Sequence, residues 1–269
     1  MPPSLQRCSM VIRHHAATRT TEAEAVATHR AMAFARASGA PVHVVHLSCA
    51  AALAHVAEAR ASGVRASAET CPHYLSLTDA RYDEPDPLEC AKSVISPPLR
   101  PAADRDALWA GLASHALSLV ATDHVPDRVA VEKGEAARGV SFDRISNGAP
   151  GIETLLSIMH GEGVARGRIT LERMVELIAT EPARRFGLAR KGAVETGRDA
   201  DLVLFDPAAR RTIRATDLHH TSDFTPYEGM AVEGAIRSVF VRGGAVIRDG
   251  VAVGDRGFGR FVERGGAGE

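Results

Sequence analysis

Histidines and carboxylates follow three apolar segments of the sequence, each at the point where a strand would end. His46 follows "PVHVV", Glu69 and His73 follow "VRASA", and Asp123 and His124 follow "ALSLVAT". In parallel barrels, active-site side chains gather at the carboxyl ends of the strands. Because imidazole nitrogens and carboxylate oxygens both bind divalent metals such as zinc, the three segments together indicate a metal site.

Each of these residues also has a simpler interpretation when it is taken alone. A single histidine such as His46 is often half-buried for packing, with one hydrogen-bond partner. An aspartate such as Asp123 commonly caps a helix or stabilises a turn. The sequence contains no compact metal motif such as H-E-x-x-H. The prediction of a metal site therefore depends on the three segments jointly.

The elements that must position these residues alternate between helix and strand. Apolar, alanine-rich segments with acidic starts and glycine stops predict helices, while short β-branched segments predict strands. Such alternation is typical of an α/β fold with a parallel sheet. The predicted helices are 21–38, 51–62, 105–114, 152–164 and 170–179, and the predicted strands are 42–47, 64–69 and 117–122. Residues 79–100, which are rich in proline, are expected to be irregular, and Ser48 is expected to cap the helix that follows it.

After Gly187 the pattern changes to short strands separated by glycine turns. The segments 199–205, 236–243 and 245–250 predict antiparallel strands, and the glycine-rich end predicts a loose tail. We therefore expect three regions: a barrel portion at 1–188, a small β appendage at 189–250 and a tail at 251–269.

Composition and charge exclude several classes of function. The 269 residues are 45% hydrophobic and 24% charged, and 32 basic residues nearly balance 33 acidic ones, for a net charge of −1. This balance gives no basis for binding nucleic acid or a membrane surface. No apolar segment approaches the roughly 20 residues of a membrane helix. The four cysteines form no C-x-x-C pair, which favours a reducing, cytoplasmic location.

Six further segments occur in an order that is similar to one family of enzymes. They are "HVVHLSCAAAL", "AETCPHYLSLT", "SPPLRP", "VATDHVP", "ISNGAPGIETLL" and "KGAVETGRDADLVLFDP". Over about residues 15–250 the chain resembles the dihydropyrimidinase/hydantoinase branch of the cyclic amidohydrolases. The resemblance implies a (β/α)8 barrel with a β-sandwich appendage, two metal ions that are usually zinc, a cyclic ureide as substrate and a homotetramer.

The resemblance also implies roles for four residues. His46 matches the metal-binding histidine of the sixth barrel strand. Asp123 matches the aspartate after the eighth strand, which binds metal and transfers protons in catalysis. Ser96 in "ISPPLR" and Asn147 in "SNGAPG" match positions that hold the ring amide of the substrate. His73 and His124 are expected beside the site and not as ligands.

The sequence also departs from the family pattern. It has no H-x-H tripeptide, and nothing matches the carboxylated lysine of the fourth strand or the histidine of the fifth. His14 and His15 match a loop before the sixth strand, so they are not the missing pair. We therefore expect the chain to begin after strand five, to carry two of six metal-ligand positions and to be inactive alone. A truncated gene product, a misplaced start codon and one half of a split enzyme are all compatible with this.

Two alternatives to a hydantoinase-like enzyme remain open from the sequence. A dihydroorotase or allantoinase homologue is one. Arg100 is the nearest candidate to bind the carboxylate of dihydroorotate, although its place in a proline-rich loop favours a structural role. A non-catalytic scaffold is the other. The missing ligands favour the scaffold, whereas the presence of both His46 and Asp123 favours an enzyme.

Overall fold

Three parallel strands form the central sheet. The structure, a computed structural model, describes residue 12, residues 14–134 and residues 141–265. Strands β1 (Val42–Val44), β2 (Ala66–Thr70) and β3 (Leu119–Val120) lie in the order β1-β2-β3. Val42 is in register with Ala66, and Thr70 with Val120. The predicted parallel sheet is confirmed, although each strand begins later or ends earlier than the apolar pattern indicated.

Helices flank this sheet and continue beyond it. They are α1 (Thr21–Ser38), α2 (Ala50–Ala61), α3 (Pro72–Ser76), α4 (Pro87–Lys92), α5 (Ala102–Ala113), α6 (Leu155–Ile158), α7 (Leu171–Val175) and α8 (Glu181–Arg185). Helices α6 and α7 pass directly into π-helical turns at Met159–Val164 and Glu176–Thr180.

The prediction of an irregular segment at 79–100 is wrong in part, because this segment contains a 3₁₀ turn at Asp79–Asp83 as well as α4. Pro87 begins α4, where a missing N–H costs nothing. No helix within the described ranges has the length and apolar character needed to cross a bilayer.

Helix α1 has the start and stop that its sequence predicted. The Thr20 hydroxyl accepts a hydrogen bond from Ala23 N at 3.2 Å, and Glu22 lies in the first turn. Gly39 ends the helix in the left-handed region with φ +69°, a conformation that glycine adopts at little cost. The predicted bounds, 21–38, are those observed.

Buried leucines fill the space between the sheet and helices α2, α3 and α5. The Trp109 indole on α5 donates to Leu75 O at 2.8 Å and joins α5 to α3. A buried indole needs such a partner for its N–H. The leucines that are completely enclosed include Leu75, Leu99, Leu108, Leu112, Leu117 and Leu119.

The chain divides into two compact units, and a four-stranded sheet lies in the second. The first unit comprises the described residues up to Ile158 together with Thr212–Met230, and the second comprises Met159–Arg211 and the described residues from Ala231 onward. Strands β4 (Leu202–Thr212), β5 (Ala231–Val241), β6 (Gly244–Arg248) and β7 (Val251–Ala252) lie in that order, and β5–β6 and β6–β7 are antiparallel. The strands predicted at 236–243 and 245–250 are confirmed as the antiparallel pair β5–β6, and a strand is also present where 199–205 predicted one. The boundaries at 188 and 250 stay a prediction.

A buried ion pair connects three segments of the first unit. Arg100 Nη2 lies 2.9 Å from Glu24 Oε2, and the two side chains are only 6% and 13% exposed. Arg100 also donates to Ser48 Oγ at 3.0 Å and to Arg19 O at 2.6 Å. Ser48 in turn donates its N–H and its hydroxyl to the Glu24 carboxylate. The expectation that Ser48 caps α2 is therefore wrong: its hydroxyl joins this network, and Cys49 is the cap residue.

Loss of the Arg100 guanidinium should destabilise the protein strongly. Arg100→Met leaves the Glu24 carboxylate buried without its counter-charge, which costs about 3 kcal/mol or more in the free energy of unfolding. Arg105→Met is the matched control, because Arg105 pairs with Asp106 at a more exposed site, where such pairs contribute less than about 1 kcal/mol. Urea unfolding measures both. Equal losses in the two variants would contradict a structural role for the buried pair.

A second buried side chain, His15, holds the segment before the Pro97–Pro98 pair. His15 is completely buried, and its Nε2 donates to Ile95 O at 2.6 Å. Its Nδ1 accepts from Arg19 Nη1 at 3.3 Å, so the ring is neutral. Burial lowers the pKa of His15 to about 4, and the positive charge of Arg19 acts in the same direction.

This histidine should make the protein sensitive to mild acid. Its folded pKa lies below the unfolded value of 6.5, so the unfolded state binds more protons and stability is lost as the pH falls from about 6.5 toward about 4. Between pH 7 and pH 5 its contribution to the free energy of unfolding should fall by about 2 kcal/mol. Denaturant unfolding at the two pH values measures the loss.

His15→Gln keeps an N–H donor toward Ile95 but does not titrate, so it should lose about 2 kcal/mol less than the wild type over this range. The exposed His29→Gln control should retain the wild-type change. An unchanged pH dependence in His15→Gln would rule out His15 as the source.

Candidate functional site

The residues predicted to bind metal follow the outer two strands of the parallel sheet. His46 lies two residues beyond the end of β1, and Asp123 lies three residues beyond the end of β3. Cys71 and His73 follow β2 between them. Because the three strands are parallel, all four residues belong to the same edge of the sheet, as the sequence pattern predicted.

His46 and Asp123 share an unusual backbone conformation. Their φ angles are +40° and +45°, and five non-glycine residues in total have positive φ within the described part of the chain. This conformation costs a residue with a Cβ roughly 1–2 kcal/mol, and such strain concentrates at functional sites. Nothing in the residue types of "VHLS" or "TDHV" predicted it.

The turn that carries His46 is fixed on both sides. Leu47 N donates to Glu69 O at 2.9 Å, and the Thr70 hydroxyl donates to Leu47 O at 2.8 Å. Ala50 N donates to the Asp104 carboxylate at 2.8 Å. Together with the contacts of Ser48, these bonds tie the turn to β2, α1 and α5.

Buried groups between the two predicted ligands are held uncharged. Burial raises the pKa of the Cys71 thiol well above its usual range, and the negative charges of Asp123 and Glu69 add to the effect. Burial lowers the pKa of His73 to about 3, with a smaller effect of His46 in the same direction. Cys71 and His73 are therefore a neutral thiol and a neutral imidazole at this edge.

Glu69 and His124 are occupied by contacts within the protein. The carboxylate of Glu69 lies 2.9 Å from His43 Nε2 across the β1–β2 pair. His124 Nδ1 accepts from Gly151 N at 3.0 Å. Burial lowers the pKa of His124, and the neighbouring His220 contributes. The expectation that His124 lies beside the site and is not a ligand stays a prediction.

The two residues predicted to hold the substrate lie together. Ser96 Oγ donates to Asn147 Oδ1 at 2.9 Å, although 51 positions separate them in the sequence. Both side chains are exposed. Gly148 N donates to Val94 O at 3.0 Å and joins the backbones of the two segments. We call Ser96 and Asn147 the amide clamp.

The amide clamp adjoins the loop of Asp123. His124 forms an isolated parallel bridge with Ala149, and Val125 N donates to Ala149 O at 3.1 Å. Ala149 thus contacts the segment that follows Asp123, and Asn147 lies two residues before Ala149. The structure thus brings the clamp and the end of β3 to one region of the first unit.

The donors present do not form a complete metal site. Within the part of the chain that the structure describes, no group of three or more His, Cys, Asp or Glu side chains is arranged to hold a metal ion. His46 and Asp123 offer one imidazole and one carboxylate, whereas zinc sites in proteins have three or four protein ligands. The two residues alone do not fit a zinc site, and their role as ligands stays a prediction.

Arg100 does not belong to this site. Its guanidinium is buried against Glu24, Ser48 and Arg19 O, so it cannot bind the carboxylate of a substrate without breaking those bonds. Sequence reasoning also missed Lys133, a completely buried lysine that contacts the backbones on both sides of the amide clamp. The segment "VEKGE" looks like an ordinary charged loop and carried no signal for this role.

Comparisons with known proteins agree with this architecture. A model of the amidohydrolase family matches residues 9–246. D-hydantoinase of Ralstonia pickettii is 42% identical over 253 residues, which are 93% of this chain and 54% of the relative. The crystal structure of dihydropyrimidinase from Brevibacillus agri is 43% identical with a TM-score of 0.90, over 94% of this chain and 54% of that one. L-hydantoinase of Arthrobacter aurescens is 29% identical with a TM-score of 0.85, over 97% and 58%.

The chain therefore spans about half the length of the relatives it matches. The family model, in contrast, covers most of the chain, including both predicted metal ligands and the amide clamp. The family resemblance that the sequence motifs predicted is confirmed, and the chain belongs to the amidohydrolase family.

Proposed function

We propose that this chain carries the amide clamp and the Asp123 side of a hydrolase that opens hydantoin or dihydropyrimidine rings. The observation that carries the proposal is the Ser96–Asn147 pair beside the end of β3, where Asp123 adopts a positive φ. The similarity to D-hydantoinases and a dihydropyrimidinase supports the same substrate class. The product is an N-carbamoyl amino acid.

The amide clamp suits a cyclic ureide because it offers both kinds of hydrogen-bonding group. Such a ring presents N–H donors next to carbonyl acceptors. The Ser96 hydroxyl can donate or accept, and the Asn147 amide can do both. In the absence of substrate the two side chains satisfy each other at 2.9 Å, so a ring amide replaces an existing bond and leaves no polar group unpaired.

Asp123 is the proposed general base and acid. Its carboxylate takes a proton from the attacking water, whose oxygen forms a bond to the ring carbonyl carbon. The carbon–nitrogen bond then breaks, and Asp123 returns the proton to the departing ring nitrogen.

We further propose that His46 and Asp123 become zinc ligands when other ligands complete the site. A bound metal lowers the pKa of water and polarises a carbonyl. The missing ligands are expected from a segment that contains H-x-H, a lysine and a histidine, on the strands that precede β1 in a (β/α)8 barrel. The edge of β1 is suited to this, because β1 is half-buried and Val45 beyond it is 48% exposed. Unpaired strand edges readily accept a further strand.

The fold and assembly that go with this function are also proposals. We propose that the parallel sheet is strands six to eight of the barrel, that β4–β7 are part of a β-sandwich and that the complete protein is a homotetramer. The proposed partner is a small-molecule cyclic ureide, since the balance of 32 basic and 33 acidic residues gives no basis for nucleic acid or a membrane surface.

A non-catalytic role is the second candidate function. It is favoured by one observation, namely that the described residues contain no cluster of three metal-binding side chains. A dihydroorotase-like activity is less well supported, because Arg100 is committed to Glu24.

The 269-residue chain alone should neither open hydantoin or dihydrouracil nor retain two zinc ions, and a supplied segment with H-x-H, lysine and histidine should restore both. Metal binding requires the full ligand set in place. Ring opening by absorbance and zinc content by mass spectrometry measure the outcome. Full turnover by the chain alone would overturn the incomplete-site proposal.

Two substitutions test the residues in the restored enzyme. His46→Ala and Asp123→Ala should each abolish turnover, since each removes a proposed ligand and Asp123→Ala also removes the general base. His29→Ala, on the exposed face of α1, is the matched control and should retain activity. No restoration by the supplied segment, with native folding of the chain, would favour the scaffold role instead.

A further inference from the structure

Lys133 is one of three lysines in the chain, and its side chain is completely buried. It ends the π-helical turn Val129–Lys133, which follows the loop of Asp123. A buried ammonium is costly unless oxygen atoms surround it. The position of this charge therefore depends on the groups that solvate it.

Three oxygen atoms surround the ammonium group. Lys133 Nζ donates to Ser146 O at 2.5 Å and to Val94 O at 3.0 Å. Asp127 Oδ2 lies 3.3 Å away, and this carboxylate is also buried. Two of the three N–H donors of the ammonium therefore bind the carbonyls, and Asp127 supplies a counter-charge at ion-pair distance.

The three oxygens belong to the three segments that form the proposed substrate site. Val94 lies two residues before Ser96, Ser146 directly precedes Asn147, and Asp127 lies on the loop that begins at Asp123. Val94 O also accepts from Gly148 N. Lys133 is thus the charged junction between both halves of the amide clamp and the loop of the proposed general base.

We propose that Lys133 is a positioning residue that sets the distance between Ser96 and Asn147 by binding a carbonyl in each of the two segments that carry them. Only the role of the clamp in substrate binding rests on the proposed function; the junction itself rests on the contacts above. Hydrogen bonds from a charged donor are stronger than neutral ones. A single charged group that binds both loops therefore restrains the backbone of each.

The charged state of Lys133 is part of this role. Burial lowers the pKa of Lys133 to about 8, against the opposing effects of Asp127 and Glu132. Among the described residues, His15 is a further titratable group near it, and its imidazole is neutral. Carboxylation of Lys133 is disfavoured, because it would replace a donor by an anion among three oxygen acceptors. Above about pH 8 the junction loses its charge, and both clamp segments should loosen.

The experiment uses the chain without metal or substrate. Lysine labelled with ¹³C at Cε gives three side-chain signals, which Lys133→Met and the control Lys92→Met assign. Lys92 lies in α4, where it pairs with Glu89. Between pH 6 and pH 10 the Lys133 signal should titrate, and the amide signals of Asn147 and Gly148 should move with the same midpoint. In Lys133→Met neither amide signal should shift over this pH range.

Amide hydrogen exchange gives a second measurement. Exchange at Gly148 should accelerate about tenfold or more in Lys133→Met, because the loop loses its charged tether, and it should stay native in Lys92→Met. The proposal is overturned if the Asn147 and Gly148 amide signals do not shift as Lys133 titrates and if hydrogen exchange at Gly148 is unchanged in a folded Lys133→Met. If Lys133→Met does not fold, the titration of the wild-type chain decides alone.

Turnover separates this proposal from the proposed function. In the restored enzyme, Lys133→Met should raise KM for hydantoin more than it lowers kcat, whereas Lys92→Met should change neither. If the wild-type chain cannot be restored, the proposed function fails, yet the titration and exchange results still test the junction. An equal loss in kcat with unchanged KM would contradict a role in positioning the clamp.

Discussion

The buried pair of Glu24 and Arg100 is the interaction on which the first unit depends. A carboxylate and a guanidinium enclosed this deeply must be paired and fully hydrogen-bonded, so the three segments that contribute to the pair cannot shift independently. One of these segments is the turn of His46, since Ser48 binds both charges. The geometry of a predicted metal ligand is thus set by an ion pair that never contacts the site, through backbone held two residues away.

The amide clamp is built by the same physical means on irregular backbone. Ser96 and Asn147 lie outside regular strands, and side chains bind the carbonyls around them. His15 binds Ile95 O, while Lys133 binds Val94 O and Ser146 O. Both side chains are buried. Their N–H groups bind carbonyls that a neighbouring strand would bind in a regular sheet. The backbone of these loops is therefore fixed, although it forms no strand, while the exposed side chains of Ser96 and Asn147 can vary in sequence.

The sequence predicted the elements better than the contacts between them. Helix α1 was predictable to the residue, because Thr20, the acids that follow it and Gly39 act locally. The common edge of His46 and Asp123 followed from the parallel alternation. In contrast, the sequence does not show that Arg100 pairs with Glu24, which lies 76 positions away, or that Ser48 binds this pair and does not cap a helix. No local pattern shows which charge will be buried against which.

The positive φ angles of His46 and Asp123 connect these observations. A strained residue keeps its conformation only where surrounding structure imposes it. At His46 these contacts are the hydrogen bonds of Ser48 to Glu24 and of Leu47 to β2. At Asp123 the loop is held by the Val125–Ala149 hydrogen bond and by the ion pair of Asp127 with Lys133. All of these contacts lie within the first unit. The strained conformation of both turns is therefore maintained by hydrogen bonds and ion pairs of the protein itself.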